Sequence, residues 1–327
     1  MFVLTKFIPL RLAKPNMEKA HPLISCFLSP NIDISTRSYH NDEAPPLNLK
    51  LSIQKFAEPV ISINTIPIIV LHGLLGSKNN WNAVCKALAK QNFRTIVSVD
   101  ARNHGDSPHH KDFDYESMAT DVATLLRSEG YEKASFIGHS MGGRTVMLLA
   151  QMFPEVVHSM VIVDISPVRH SPSMVELPKL LKIIKELDMK PTLTLSDARK
   201  QATTQLLAHK VDQKVVSFLL TNLVENERRT HWRWKFNLHA IADQFHKICN
   251  YPILETDVPT RTLFIGGMDS DYLRPEDESS VKKIFPKSTF EYIKGAGHWV
   301  HADKPHEFIE LTSAFFKKER SYFETVN

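Results

Sequence analysis

The chain has 327 residues, of which 43% are hydrophobic and 23% are charged, as expected for a globular protein with a large buried core. Forty Lys and Arg residues oppose 36 Asp and Glu residues, and much of the net charge of +4 comes from the basic N-terminus. A nucleic-acid partner therefore has no electrostatic support. The three cysteines exclude a disulfide framework, and the lack of an apolar run of about 18 residues excludes a transmembrane helix.

Residues 1–40 have the composition of a mitochondrial presequence. They are basic, hydroxylated and poor in acids, and Lys6 and Arg11 interrupt their short apolar patches. The segment Arg37-Ser38-Tyr39-His40 resembles a matrix-processing site that is cut after Tyr39. This pattern predicts import into the mitochondrial matrix and removal of residues 1–39. A disordered cytosolic tail is the alternative.

Beyond a short linker, β-rich segments alternate with helical segments, which predicts a parallel sheet with right-handed crossovers. The predicted strands lie at 47–56, 67–71, 94–99, 134–137, 158–163, 262–265 and 289–293. The first of them alternates apolar and polar residues, as an edge strand does. The predicted helices of this part lie at 81–91, 115–128, 142–152, 276–284 and 306–317.

Residues 168–255 interrupt this alternation, because helical periods dominate and no convincing buried strand is evident. The predicted helices of this block lie at 174–187, 195–209, 213–225 and 238–248. We therefore predict a core formed by residues 47–167 and 256–320, with residues 168–255 inserted above the sheet as a helical cap, or lid.

The positions of the glycines predict where the site lies. Every glycine except Gly130 directly follows the C-terminal end of a predicted strand. In a parallel sheet these ends lie on one edge, where ligands bind. Glycine permits strained turns and close backbone approach, so we expect a tightly shaped site on that edge.

The segment Gly138-His139-Ser140-Met141-Gly142 is a G-x-S-x-G sequence between a predicted strand and a predicted helix. This is the context of a nucleophile elbow, in which a sharp turn lifts the serine oxygen off the sheet edge. The N-terminus of the following helix directs N–H groups and its positive dipole end at the same spot. Ser140 is therefore the candidate nucleophile.

A serine nucleophile needs a general base, because its hydroxyl is weakly nucleophilic at neutral pH. His298 follows the last predicted strand in a glycine-rich loop and is the candidate base, whereas the nearby His301 is better suited to a structural hydrogen bond. The orienting acid comes between the serine and the histidine in chain order. Asp164 and Asp269 both follow strands in that interval, and chain order does not choose between them.

Donors for a developing oxyanion are expected from two backbone amides. Met141 supplies one N–H, and Leu74, within His72-Gly73-Leu74-Leu75-Gly76, supplies the other. We interpret His72 as a structural loop histidine. Asp100 precedes Ser140 in the chain, so it is a poor candidate for the acid and belongs to a second structural loop at 100–107.

Five motifs in order resemble those of the α/β-hydrolase superfamily over residues 47–318. They are H-G-L-L-G, D-A-R-N-H-G-D-S, G-H-S-M-G-G, V-D-I-S-P-V and G-A-G-H-W-V-H-A-D-K-P. Within the superfamily the chain is similar to a mitochondrial group and to related bacterial short-acyl esterases. The resemblance implies an α/β fold with a mostly parallel eight-stranded sheet, flanking helices and a helical cap after the sixth strand.

The resemblance also implies an ester or lipid-acyl hydrolase of the matrix and an association with 2-oxo-acid dehydrogenase complexes. The group often has G-G-x-S-x-Y, without a carboxylate, where this chain has Gly266-Gly267-Met268-Asp269-Ser270-Asp271-Tyr272. The group pattern favours Asp164 as the acid, whereas the wider superfamily favours Asp269.

We therefore predict a serine hydrolase that cleaves carboxylic esters through an acyl-enzyme on Ser140. The alternatives are a catalytically silent scaffold that binds a mitochondrial partner, and a thioesterase or carbon–carbon hydrolase using the same residues. No metal, nucleotide or flavin motif occurs, so no cofactor is predicted. The cap is expected to set substrate length, and its candidate pocket residues are Leu180, Ile184, Phe218 and Leu219.

Overall fold

The structure is a computed structural model, and it describes residues 49–58, 65–190, 194–226, 231–252, 254 and 257–324. The predicted presequence and the first residues of the first predicted strand lie outside the described residues.

The described residues form a large central sheet and a small hairpin. The strands are β1 (Ile53–Phe56), β2 (Ile68–Leu71), β3 (Ile96–Val99), β4 (Ala134–His139), β5 (Val157–Val163), β6 (Leu223–Glu225), β7 (Trp232–Trp234), β8 (Arg261–Gly267) and β9 (Ser288–Ile293). Seven of them form one sheet in the order β1-β3-β2-β4-β5-β8-β9, and only β1 runs antiparallel to its neighbour. The predicted mostly parallel sheet is confirmed.

Eight strands were expected, and the described part of the chain contributes seven strands to this sheet. Residues 59–64, between β1 and β2, lie outside the described residues. The helical block consequently follows β5, the fifth described strand, where the sixth was expected. The predicted edge strand is confirmed over Ile53–Phe56, which is shorter than predicted.

The helices of the described residues follow the strands. They are α1 (Asn82–Asn92), α2 (Tyr115–Ser128), α3 (Met141–Met152), α4 (Leu177–Glu186), α5 (Leu195–Ala208), α6 (Gln213–Leu220), α7 (Leu238–Asp243), α8 (Phe245–Cys249), α9 (Glu278–Ile284), α10 (Val300–Asp303) and α11 (Pro305–Glu324).

The core is buried on both faces of the sheet. Strand β2 is a continuous apolar run and is wholly buried, as expected for a central parallel strand covered by helices. Ile68 and Val70 belong to a cluster with Leu88 of α1 and Phe308 of α11, and the alternate residue Ile69 is fully buried as well.

The block at 168–255 contains α4 to α8 and also the antiparallel β6–β7 hairpin. The expectation of helices alone is therefore wrong at the hairpin. Its strands have three residues each, too few to show a period of two in the sequence. They are held by burial of Leu223 and Trp232 against Ala198 and Ala202 of α5.

This block is tied to the loops at the edge of the sheet by polar contacts. Lys235 Nζ donates to Asp106 Oδ1 at 2.7 Å, and the Asn237 N–H donates to the Asn103 carbonyl at 2.8 Å. The Asn222 amide donates to the Leu75 carbonyl at 2.9 Å. Hydrogen bonds from Lys235 and Lys78 lower the pKa of Asp106 to about 2, so this carboxylate stays charged at neutral pH.

Candidate active site

Ser140 lies in a sharp turn between β4 and α3. Its backbone has φ +53° and ψ −115°, a conformation that non-glycine residues rarely adopt. A Cβ at Gly138 would lie 2.5 Å from the Gly142 carbonyl oxygen, and one at Gly142 would lie 2.5 Å from the Leu71 carbonyl oxygen. Glycine is therefore required on both sides of Ser140, as predicted.

The sequence placed several of these glycines beyond strand ends, which is wrong for three of them. Gly138 lies within β4, and Gly266 and Gly267 lie within β8. The ladder continues through these residues, because Gly138 pairs with Leu71 and Gly267 pairs with Ile293. The sharp turn at the end of β4 is consequently confined to Ser140.

Two backbone segments approach the Ser140 side chain. Met141 is the first residue of α3, so its N–H has no acceptor within the helix and lies at the positive dipole end. A Cβ at Gly73 would lie 3.3 Å from the Ser140 Cβ, which shows how closely that loop approaches the turn. The Leu75 N–H donates to His104 Nε2 at 3.1 Å. Leu74 and Met141 line the same cavity as Ser140.

His298 lies in the loop between β9 and α10 and contacts the carboxylate of Asp164. His298 Nδ1 is 2.7 Å from Asp164 Oδ2. Asp164 is fully buried directly after β5 and also accepts from the Gly267 N–H at 3.0 Å and from Ser270 Oγ at 2.5 Å. Three donors thus hold the carboxylate in one orientation behind the imidazole.

The second candidate acid lies elsewhere in the same region. Asp269 is exposed, and its backbone N–H donates to the Ala296 carbonyl at 3.0 Å. Asp269 is one of the residues that line the cavity. Of the two carboxylates that the sequence left open, the structure therefore brings Asp164 into contact with His298 Nδ1.

Three residues that sequence reasoning gave no role support the imidazole. The Tyr272 ring stacks on the His298 ring with centroids 3.8 Å apart. The imidazole of His139 is neutral because burial lowers its pKa well below the ordinary value, and its Nε2 hydrogen-bonds to the His298 carbonyl oxygen at 2.8 Å. Ser270 contacts Asp164 as described above. Ser270 and Tyr272 lie in the segment that departs from the G-G-x-S-x-Y pattern, which was used only to compare the two candidate acids, and His139 is the variable position of G-x-S-x-G.

The other histidines of the region are structural. His72 Nε2 accepts from the Ala101 N–H at 3.1 Å, and its Nδ1 donates to the Gly73 carbonyl at 2.8 Å. His301 was expected to make a structural hydrogen bond. Instead its ring stacks on Trp81 at 3.9 Å, and within the described residues its Nδ1 has no hydrogen-bond partner. Burial lowers the pKa of His301 to about 3.

Asp100 makes structural contacts, as expected for a residue of the second structural loop at 100–107. It is fully buried, and its carboxylate accepts from Lys78 Nζ at 2.5 Å and from the Asp106 N–H at 2.9 Å. The carboxylate also occupies the space beside Gly105, where a Cβ would lie within 2.3 Å of all three of its terminal atoms. These contacts leave Asp100 in a structural position.

The cavity above Ser140 has a volume of about 890 Å³. Ser140 and His298 both line it, together with Leu180, Phe218 and Leu219 from the predicted cap. Ile184 was also expected there, but the lining residue is its neighbour Ile183, and Ile184 is buried in the packing of α4.

Two further findings concern the described residues only. None of their helices combines the length and the apolarity needed to cross a membrane. In the same ranges, no three His, Cys, Asp or Glu side chains are grouped as metal ligands would be.

Residues 66–305 match the family model described as the alpha/beta hydrolase fold. The chain is 41% identical over 252 residues to the sn-1-specific diacylglycerol lipase ABHD11 of Mus musculus, covering 77% of this chain and 81% of that protein. It is 34% identical over 248 residues to esterase YbfF of Escherichia coli, with coverages of 74% and 89%. A solved marine microorganism esterase matches with a TM-score of 0.73 at 34% identity, covering 82% of this chain and 99% of that one.

Proposed function

The chain belongs to the alpha/beta hydrolase fold family and is a carboxylic ester hydrolase, and on this premise we propose that it acts through an acyl-enzyme on Ser140. His298 is the proposed general base and Asp164 the proposed orienting acid. The observation that carries this assignment is the 2.7 Å contact between His298 Nδ1 and Asp164 Oδ2, beside the cavity that Ser140 lines.

The contact determines how the imidazole works. An ionised carboxylate only accepts hydrogen bonds, so Nδ1 carries the proton and Nε2 keeps its lone pair. Nε2 then takes the Ser140 proton as the oxygen attacks the ester carbonyl, and returns it to the leaving alcohol. Water then attacks the acyl-enzyme while Nε2 takes its proton and returns it to the Ser140 oxygen, which releases the carboxylic acid.

The amides of Leu74 and Met141 are the proposed donors to the oxyanion. Both residues line the cavity beside Ser140, and the Met141 N–H lies at the N-terminus of α3. An aimed donor of this kind contributes about 3–4 kcal/mol to the transition state. The Leu75 N–H is already engaged with His104, which favours Leu74 as the donor from this loop.

The proposed substrates are acyl or lipid esters. The cavity volume lies within the range of about 300–1,000 Å³ that is usual for small-molecule sites. Its cap side contains apolar residues such as Leu180, Phe218 and Leu219 beside charged residues such as Lys179 and Asp212. Two relatives carry the names diacylglycerol lipase and esterase, which supports the same class. Thioester and carbon–carbon cleavage on the same residues are the alternatives that a substrate panel separates.

The test combines covalent labelling with a graded ester panel. Wild-type protein is expected to react with a fluorophosphonate probe at Ser140, and Ser140→Ala is expected to lose both the label and hydrolysis of every ester. Acetyl to palmitoyl esters, with matched thioesters, then report the acyl length that the cap admits. If Ser140→Ala retained turnover, the proposed nucleophile would be wrong. If the wild-type protein were labelled but hydrolysed no ester, the cavity would be a binding site without catalytic activity.

We also propose residence in the mitochondrial matrix, which rests on the composition of residues 1–40. N-terminal sequencing of the protein recovered from mitochondria is expected to begin at His40. Recovery of an uncut chain from the cytosol would contradict the proposal. The association with 2-oxo-acid dehydrogenase complexes stays a prediction of the resemblance.

A further inference from the structure

An arginine is buried one helical turn beyond the nucleophile. Arg144 lies on α3, and its N–H donates to the Ser140 carbonyl oxygen at 3.1 Å. Four residues along a helix correspond to a rise of about 6 Å, and helical side chains lean towards the N-terminus, here towards Ser140. Arg144 is 2% exposed to solvent and lines the cavity.

The guanidinium of Arg144 is incompletely satisfied. Its Nη2 donates to the Arg169 carbonyl at 3.3 Å, and its Cζ lies 4.9 Å from the centroid of the Tyr251 ring. The guanidinium also interacts with the side chain of the buried Tyr115. Its Nε and Nη1 are buried and have no hydrogen-bond partner in the described part of the chain. No carboxylate of the described residues forms an ion pair with it.

A second buried arginine shows what a satisfied site looks like in this protein. Arg102 is 4% exposed, and its Nε and Nη2 donate to the two carboxylate oxygens of Asp121 at 2.6 and 2.8 Å. The two arginines are equally buried, but only Arg102 has a counter-charge.

An arginine cannot escape the cost of burial by losing its proton. A buried charge without a counter-charge is destabilising, so Arg144 is expected to meet an anion in the working enzyme. The neighbouring His170 cannot supply one, because an imidazole is either neutral or positively charged, and burial together with the Arg144 charge lowers its pKa and so favours the neutral form. Arg144 is one of the residues that line the cavity, so an anion bound there lies beside this charge.

We propose that Arg144 binds an anionic group of the substrate, so that the enzyme prefers esters whose acyl or alcohol part carries a carboxylate or a phosphate. This inference rests on the proposed function, because it names the substrate class of the same cavity. It makes Arg144 a specificity-determining residue that contributes mainly to KM.

The test uses two matched ester pairs in which a carboxylate replaces an isopropyl group of similar shape. The acyl pair is p-nitrophenyl hemiglutarate and p-nitrophenyl isoheptanoate, and the alcohol pair is p-carboxyphenyl butyrate and p-isopropylphenyl butyrate. A p-nitrophenyl phosphonobutyrate arm distinguishes phosphate-like from carboxylate ligands. The quantity measured is the ratio of kcat/KM for the charged ester over the neutral one.

Wild-type protein is expected to favour the charged ester about 10- to 100-fold in at least one pair, the range for hydrogen bonds to a charged group. Arg144→Gln is expected to remove this preference through KM, and Arg144→Lys to keep part of it. Arg274→Gln is the matched control, because it removes an exposed arginine from the same cavity wall. It is expected to change the ratio less than about threefold.

Two results would overturn the inference. One is a wild-type protein without preference for the charged ester in either pair, a result that needs no variant to fold. The other is an equal loss on charged and neutral esters in Arg144→Gln, which is the signature of a structural arginine. Both leave the proposed function intact, since that fails if Ser140→Ala still hydrolyses the esters or if the wild-type protein is labelled but hydrolyses none of them.

Discussion

Replacing Asp164 by asparagine tests the proposed triad most directly. Oδ1 of this side chain accepts from the Gly267 N–H, which can only donate, so the asparagine oxygen must occupy that side. The asparagine NH2 group then faces His298 Nδ1 and Ser270 Oγ, where the carboxylate Oδ2 was. His298 can accept from this NH2 group only by moving its own proton to Nε2.

The wrong tautomer removes the lone pair that the nucleophile needs. A carboxylate-to-amide change at this position of a serine triad lowers kcat by about 10⁴, or about 5.5 kcal/mol in the activation free energy. We expect a loss of that order for Asp164→Asn in the hydrolysis of p-nitrophenyl butyrate at neutral pH. The rate of fluorophosphonate labelling at Ser140 is expected to fall in parallel, because it needs the same activated oxygen.

Asp269→Asn is the control, since it makes the same chemical change at an exposed carboxylate in the same cavity. It is expected to retain kcat within about tenfold of wild type, because surface charges interact weakly. Thermal unfolding of both variants checks that the fold survives. A fall of about a thousandfold in Asp269→Asn, with near-normal Asp164→Asn, would refute the assignment of the acid.

Three further predictions concern packing, pH and positioning. Gly105→Ala drives a Cβ into the Asp100 carboxylate at φ +56° and is expected to destabilise by more than about 3 kcal/mol. Gly130→Ala, at φ +72° with open space around it, is expected to cost only about 1–2 kcal/mol, and chemical denaturation compares the two. The folded-state pKa of His301 is about 3 against an ordinary 6.5, so the unfolded chain binds its proton first and stability falls as pH drops below about 6.5. His301→Phe is therefore expected to reduce the loss of unfolding free energy between pH 7 and pH 5 by about 2 kcal/mol, and an unchanged loss would contradict this. His139→Phe removes the hydrogen bond to the backbone of the proposed base and is expected to lower kcat about tenfold with KM nearly unchanged, as steady-state kinetics will show.

The sheet was predictable because its central strands are buried on both faces. A strand such as β2 must then be a short continuous apolar run, which marks itself in the sequence. The ends of β4 and β8 were placed too early, because glycines look like strand ends although Gly138 and Gly267 still pair in the ladder. The β6–β7 hairpin was missed because its three-residue strands depend on contacts with α5 that no local pattern records.

The same distinction between local and tertiary signals separates the residues of the site. The turn at Ser140 is encoded by its flanking glycines, so the nucleophile was predictable from a few neighbouring positions. The acid depends on a contact that joins Asp164 to a residue 134 positions away, so two aspartates with similar local contexts stayed equivalent until that contact was known.

Arg144 follows the same logic. In sequence it is an ordinary helical arginine, and its burial alone would not set it apart from Arg102. What distinguishes it is that, within the described residues, no carboxylate meets it at the wall of the cavity. A missing counter-charge can be recognised only in the tertiary structure. Because this arginine lies beside the proposed nucleophile, the missing charge indicates an anionic substrate.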